Sequence, residues 1–234
     1  MFDFRNKTAL VTGATSGIGL AIAKAFADSG AAVIAAGLPS PAEIPSGIQV
    51  EHLDVTDLPA IQGLLGRMQK LDILVNAAGI IRRDDEFQLD IFEQVINVNL
   101  TSVMRFSTEA RPLLARNRGC IVNIASMLSY FGGPRVPAYS ASKGGVAQLT
   151  RSLAVAWAAD GIRVNAVAPG WIATPLTQAL QDDPARSAPL LSRTPAARWG
   201  KPEEVAGPVL FLCSEAASFM TGAIVPVDGG YSAA

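Results

Sequence analysis

The chain has 234 residues, half of them hydrophobic and 17% charged, with a single histidine and two cysteines. That length suits one α/β domain over residues 1–234, with enough apolar material for a large buried core. Nineteen basic and twenty acidic residues leave a net charge of −1, which argues against a nucleic-acid-binding stripe and against a polybasic membrane segment.

The N-terminal run "MFDFRNKTALVTG" carries Asp3, Arg5 and Lys7 and lacks the uncharged stretch of a secretory signal. No apolar run reaches the length of a bilayer span. Cys120 and Cys213 sit in apolar contexts, "RGCIVNI" and "VLFLCSE", and read as buried free thiols of a cytoplasmic protein.

Seven short runs rich in Val and Ile follow one another: "TALVTG", "AAVIAAG", "IQVEHLD", "LDILVNA", "GCIVNIAS", "IRVNAVAPG" and "AIVPVDGG". They run out into Gly, Asn, Asp or Pro, as strands do. Segments of helical spacing, such as "GIGLAIAKAFADSG" and "DLPAIQGLLGRMQ", separate them. Continuous apolar strands alternating with helices predict a doubly wound parallel seven-stranded sheet with helices on both faces, a Rossmann-type α/β fold. Ligands of such sheets bind at the carboxyl ends of the strands. The stretch 37–47 is Pro-rich and short. Residues 174–202 form a long excursion with two short helices broken by prolines, expected to be a substrate lid.

The strand ends carry the candidate site. "VTGATSGIG" puts Gly13, Ser16, Gly17, Ile18 and Gly19 where a strand turns into a helix. Glycines there let the backbone approach a pyrophosphate at a helix N-terminus. Gly37 ends the second run. Asp54 and Val55 follow the third, where the aspartate either accepts from an adenine amino group or caps the next helix. Asn76, Ala77, Ala78 and Gly79 follow the fourth, small enough to admit a ribose and adenine. Ser126 ends the fifth. Tyr139 and Lys143 stand at i and i+4 on one helical face. An ammonium near a phenol lowers the phenol's pKa, which suits it to proton transfer near neutral pH. His52 reads as a strand residue. Asp182 and Asp183 are adjacent loop residues that do not face each other, and no metal site is expected.

Together Thr12-Gly13-x3-Gly17-Ile18-Gly19, Asn76-Ala77-Ala78-Gly79, Asn99 in "NVNL", Ser126, Tyr139-x3-Lys143, Pro169-Gly170 and the terminal "VDGG" resemble the short-chain dehydrogenase/reductase family over essentially the whole chain. The resemblance implies that Tyr139 exchanges a proton with the substrate oxygen, that Ser126 steadies that oxygen, and that Lys143 holds the nicotinamide ribose. It implies that Asn99 kinks its helix and holds a water leading from Lys143 to solvent. It places Pro169, Gly170, Ile172 and Thr174 beside the carboxamide. It also implies a homotetramer paired through the helices around Asn99 and Tyr139. "GIIRRDDEF", "NIASMLSYFGGPRVPAYSASKGGV" and "PGWIATPLTQAL" are similar to the 2-deoxy-D-gluconate 3-dehydrogenase (2-dehydro-3-deoxy-D-gluconate 5-dehydrogenase) branch of that family.

The small-molecule substrate expected is therefore a sugar acid. Arg82, Arg83 and Arg135 follow strand ends, and a guanidinium matches a carboxylate. Trp171 and Gln178, after the Pro-Gly turn, offer a stacking wall and a hydroxyl partner. NAD is expected over NADP, because Ser16, Gly37 and Leu38 supply no cation for a 2′-phosphate. Two other readings share these motifs. Reduction of a 3-oxoacyl thioester on a carrier protein predicts a basic surface and NADPH. A nucleotide-sensing protein without activity predicts loss of Tyr139 or Lys143, and both are present.

Overall fold

The computed structural model describes residues 2–234. The seven apolar runs form strands β1 (Thr8–Thr12), β2 (Ala32–Gly37), β3 (Ile48–His52), β4 (Ile73–Asn76), β5 (Cys120–Ile124), β6 (Arg163–Pro169) and β7 (Ile224–Val227). All neighbours pair in parallel, in the order β3-β2-β1-β4-β5-β6-β7. β1 pairs with both β2 and β4, so the winding reverses between β1 and β4 and a crevice opens at their carboxyl ends.

Strand alternation assigns the two layers. Ala9 and Val11 of β1 pack with Val33, Val75 and Val122 against helices α1 (Gly17–Asp28) and α8 (Pro202–Cys213), where Ile22, Phe26, Val205 and Val209 are buried. Leu10, Leu74 and Ile121 point the other way, against α2 (Leu58–Arg67), α4 (Ser102–Asn117) and α5 (Pro137–Ala156), with Ile61, Phe106 and Leu153 filling that layer. The two-residue period of the strands thus supplies both cores from one sheet.

Helix α3 (Leu89–Ile96) runs into α4 through one wide π-helical turn, Asn97–Thr101. Such a turn inserts an extra residue and marks functional positions more often than ordinary helix does. Between β6 and α8 lie a 3₁₀ turn (Pro175–Thr177), α6 (Gln178–Gln181) and α7 (Pro184–Ser192), the two short helices expected within 174–202. Asp183 caps α7 by accepting from the amides of Ala185 and Arg186 at 3.1 and 3.3 Å. Asp182 accepts from Gln178 Nε2 at 2.8 Å. Both aspartates therefore serve the local structure of this segment. His52 closes β3, paired in register with Gly37.

Cys120 and Cys213 are free thiols brought together by the fold, with Cys120 Sγ 4.0 Å from the Cys213 carbonyl. Among the described residues, no helix is long and apolar enough to cross a membrane.

Candidate active site

The β1–α1 turn is built for close backbone approach. Gly13 has φ +64°, and a Cβ there would lie 2.6 Å from Ala78 Cα. A Cβ on Gly19 would lie 2.3 Å from the Gly13 carbonyl oxygen. A side chain at Gly13 would push the strand-end loops of β1 and β4 apart, and one at Gly19 would push α1 off the β1 turn. Ser16 takes an extended conformation and makes no capping bond, and no acid stands in the first turn of α1. The amides of Gly17, Ile18 and Gly19 therefore keep the unpaired donors of a helix N-terminus, which is the donor set a pyrophosphate needs.

A cavity of about 400 Å³ opens over this turn. Its walls include Gly13, Ser16, Gly17, Ile18 and Gly19 from the β1 turn, Gly37 from β2, and Asp54 and Val55 after β3. Ala77, Ala78 and Gly79 after β4, Tyr139 and Lys143 from α5, and Thr174 complete it. The shape and the free amides fit a nicotinamide dinucleotide. Arg82, Gln94, Val98 and Leu176 also line it; the last three carry no sequence signal, because only the packing of α3 and the lid brings them there.

Four expected cofactor residues stand elsewhere. Asn76 is 3% exposed and turns into the sheet, where its Nδ2 donates to Asn123 Oδ1 at 2.9 Å and Ser107 Oγ at 3.3 Å. It braces β4 against β5 and does not line the cavity. Pro169 is the last residue of β6, in register with Val227, and Gly170 packs so tightly on Asp228 that a Cβ would meet its Cα at 2.7 Å. Ile172 buries its side chain in the α1–α8 core, and its carbonyl accepts from Thr177 Oγ1 at 2.7 Å. These three shape the floor under Thr174 without lining the cavity. Asp54 lines it, yet its carboxylate accepts from the amide and hydroxyl of Thr56, both at 2.8 Å. The cap of α2 is Asp57.

Ser126, Tyr139 and Lys143 converge. Ser126 opens a 3₁₀ turn (Met127–Ser129), its Oγ accepting from Leu128 N at 3.1 Å. Ser129 accepts from the Ser126 amide at 3.3 Å and donates to the Lys143 carbonyl at 2.7 Å, which locks the serine turn onto α5. Lys143 is 4% exposed. Its Nζ donates to the Ile124 carbonyl at 2.6 Å and lies 5.6 Å from the Tyr139 ring centroid. Asn99, in the wide turn, is wholly buried; its Oδ1 accepts from Ile80 N at 2.8 Å and its Nδ2 donates to Ile80 O at 2.9 Å and to Ser142 Oγ at 3.1 Å. It ties the β4 loop to α5.

Burial pushes the Tyr139 phenol above its usual pKa; the Ser126 hydroxyl and the Arg83 charge pull it down, and Glu86 pushes it up. The lowering that the sequence spacing assigns to Lys143 comes here from Ser126 and Arg83. The lysine itself is depressed to about 8 by burial, and its donor is engaged with Ile124.

The expected substrate residues divide. Arg83 is half-buried. Burial lowers its pKa, as does the nearby Arg186 charge, while Tyr139 and Glu86 oppose them. It has no carboxylate at ion-pair distance among the described residues. Arg135 is taken up by Asp84: its Nε donates at 2.7 Å and its other nitrogen completes the fork. Gln178 is exposed and bonded to Asp182. Trp171 stacks edge-on against Trp199 at 6.0 Å and lines a separate cavity with Arg198 and Asp228. Arg186 on α7, which sequence reasoning passed over, stands near enough to Arg83 for its charge to be felt there.

Comparison with known proteins agrees with this geometry. The family model described as enoyl-(acyl carrier protein) reductase matches residues 13–232. A 2-dehydro-3-deoxy-D-gluconate 5-dehydrogenase of Bacillus subtilis is 43% identical over 98% of this chain and 96% of its own. A galactitol 2-dehydrogenase of Cereibacter sphaeroides is 42% identical over 99% of this chain and 97% of its own. A solved structure from Agrobacterium tumefaciens, described as a 2-deoxy-D-gluconate 3-dehydrogenase with bound NADP, superposes with a TM-score of 0.92 at 43% identity, over 100% of this chain and 99% of that one. The glycine turn, the convergent Ser126, Tyr139 and Lys143, and full-length identity above two-fifths together establish that this chain belongs to the short-chain dehydrogenase/reductase family.

Proposed function

We propose that the protein is an NAD(P)-dependent dehydrogenase that moves a hydride between nicotinamide and a secondary alcohol of a sugar acid. The observation that carries this reading is Tyr139 and buried Lys143 on the glycine-lined cavity, with Ser126 beside the phenol and Arg83 near it free of any carboxylate. Nicotinamide, when bound, would supply the hydride acceptor and donor. The chain does the rest. The first-turn amides of α1 would hold the pyrophosphate, and Lys143 would hold the ribose. Tyr139 takes the hydroxyl proton in oxidation and gives it back in reduction. Ser126 orients the reacting oxygen, and Arg83, backed by Arg186, holds the carboxylate. The substrate named for the Bacillus relative fits this arrangement. The test is nicotinamide absorbance with sugar acids, matched neutral polyols and 3-oxoacyl thioesters; turnover confined to the thioesters would replace this reading with the carrier-protein one.

Arg83→Ala should raise KM for a sugar acid by about 10–100-fold, the worth of a charge-assisted bond of ~1.5–3 kcal/mol. The matching neutral polyol should lose much less. Equal losses on both, or none on either, would remove Arg83 from the carboxylate site.

The cofactor is read as NAD in preference to NADP. The cavity near the end of β2 is lined by Ser16, Gly37 and Leu38, and its cations, Arg82 and Lys143, stand after β4 and on α5. A 2′-phosphate dianion would lack a partner there. The Agrobacterium structure carries NADP, so the comparison is direct: kcat/KM for NAD should exceed that for NADP, and the reverse order would overturn the assignment. The same reading makes the enzyme a cytoplasmic homotetramer; Met104 on α4 and Val155 on α5, 40% and 82% exposed, suit pairing of those helices.

A further inference from the structure

Glu86 is a carboxylate with 1% exposure, and none of the roles above uses it. Its two oxygens accept from two distant backbone amides: Oε1 from Arg82 N at 2.9 Å and Oε2 from Tyr139 N at 2.8 Å. The second bond matters because of where it falls. α5 starts at Pro137 behind Val136, which provides no side-chain cap. Tyr139 is the third residue of that helix, so its amide is one of the first-turn donors without an intrahelical partner. A carboxylate at that end is also favoured by the helix dipole. Glu86 thus caps the catalytic helix from 53 residues away, through the amide of the catalytic tyrosine itself.

A second pair of ties joins the same two segments. The Asp84 amide donates to the Arg135 carbonyl at 2.9 Å, and the Arg135 guanidinium grips the Asp84 carboxylate. Asp84 accepts a left-handed backbone, φ +71°, to do so, a conformation uncommon outside glycine. Arg83 lies between Arg82 and Asp84, each fastened to a different partner. The loop is therefore stitched to the start of α5 on both sides of the one arginine that faces the phenol.

We propose that Glu86 is a positioning residue for the reaction: its carboxylate holds Tyr139, the proton carrier, and Arg83, the substrate anchor, at a set separation by capping α5 and folding the 82–86 loop at once. The Arg83 half of this inference rests on the sugar-acid reading; the Tyr139 half does not. A glutamine at position 86 keeps the size and one acceptor oxygen but turns an NH₂ toward an amide that needs an acceptor, so one of the two ties is lost.

The experiment compares Glu86→Gln with the wild-type enzyme on a sugar acid and its matched neutral polyol, with cofactor affinity measured separately by fluorescence titration. A small displacement of a reacting group costs up to ~10²-fold in rate. Glu86→Gln should therefore lose about 10–100-fold in kcat on both substrates. KM should rise for the acid and stay within about twofold for the polyol, and cofactor Kd should hold within about twofold. Kinetics close to wild type overturn the proposal. So does a loss shared in proportion by kcat, both KM values and cofactor Kd, since that is a general structural effect. Should Glu86→Gln fail to fold, Asp84→Asn loosens the other, solvent-exposed tie; a raised sugar-acid KM with unchanged cofactor Kd supports the clamp, and an unchanged KM overturns it. If wild-type enzyme itself does not distinguish acid from polyol, the sugar-acid reading fails by that result, and the kcat of Glu86→Gln on the polyol still decides the Tyr139 half.

Discussion

Tyr139→Phe should lower turnover by about 10²–10⁴-fold, the usual worth of a positioned acid–base group, while the nicotinamide Kd stays near that of the wild type. The substitution deletes a single oxygen. The ring that lies 5.6 Å from Lys143 Nζ remains, and so does the backbone amide held by Glu86, so the helix keeps its cap. What disappears is the phenol proposed to pass a proton to and from the substrate oxygen. Because burial holds this phenol above its ordinary pKa, alcohol oxidation, which uses the phenolate, should quicken as pH rises. Ketone reduction, which uses the phenol, should slow. Single-turnover rates and cofactor titration separate chemistry from binding. Turnover within tenfold of the wild type would remove Tyr139 from the proton path.

Lys143→Met should abolish turnover and weaken nicotinamide binding, and it should also change how stability depends on pH. Burial lowers the ammonium's pKa from 10.5 to about 8. The direction follows from linkage. Between about pH 8 and 10.5 the unfolded chain binds a proton that the native protein releases, so wild-type stability rises with pH across that window. Below about pH 8 both states are protonated and the full penalty of the buried charge is present. A shift of this size corresponds to on the order of 3 kcal/mol. Methionine carries no charge, so the unfolding free energy of the wild type minus that of the variant should grow by up to that amount from pH 7.5 to 10.5. The lost bond to the Ile124 carbonyl costs the variant ~1–3 kcal/mol at every pH, which moves the whole difference without tilting it. Denaturant titrations of both proteins across the range would show the tilt. A difference independent of pH would mean that Lys143 is not held as a depressed, buried ammonium.

The sequence by itself determined the sheet, the family and the class of reaction. Seven Val- and Ile-rich runs with turn residues at their ends are a local signal. So is the glycine spacing at Gly13, Gly17 and Gly19, because the close approach it permits occurs within one strand–helix turn. Tyr139 and Lys143 share a face for the same reason: four residues apart is one helical turn. Only the tertiary structure decided which charges are free. Arg83 and Arg135 look alike in sequence, yet Asp84 takes Arg135 and leaves Arg83 beside the phenol. Asn76 stands in a loop motif, but β5 packs against it and turns it into the sheet toward Asn123. Glu86 and Arg186 showed no pattern at all, since a hydrogen bond spanning 53 residues and a contact delivered by a lid helix leave no periodicity to read. Spacing reports what neighbours along the chain can do together; the pairing of charges across the fold depends on which distant groups reach them first, and that is set by packing.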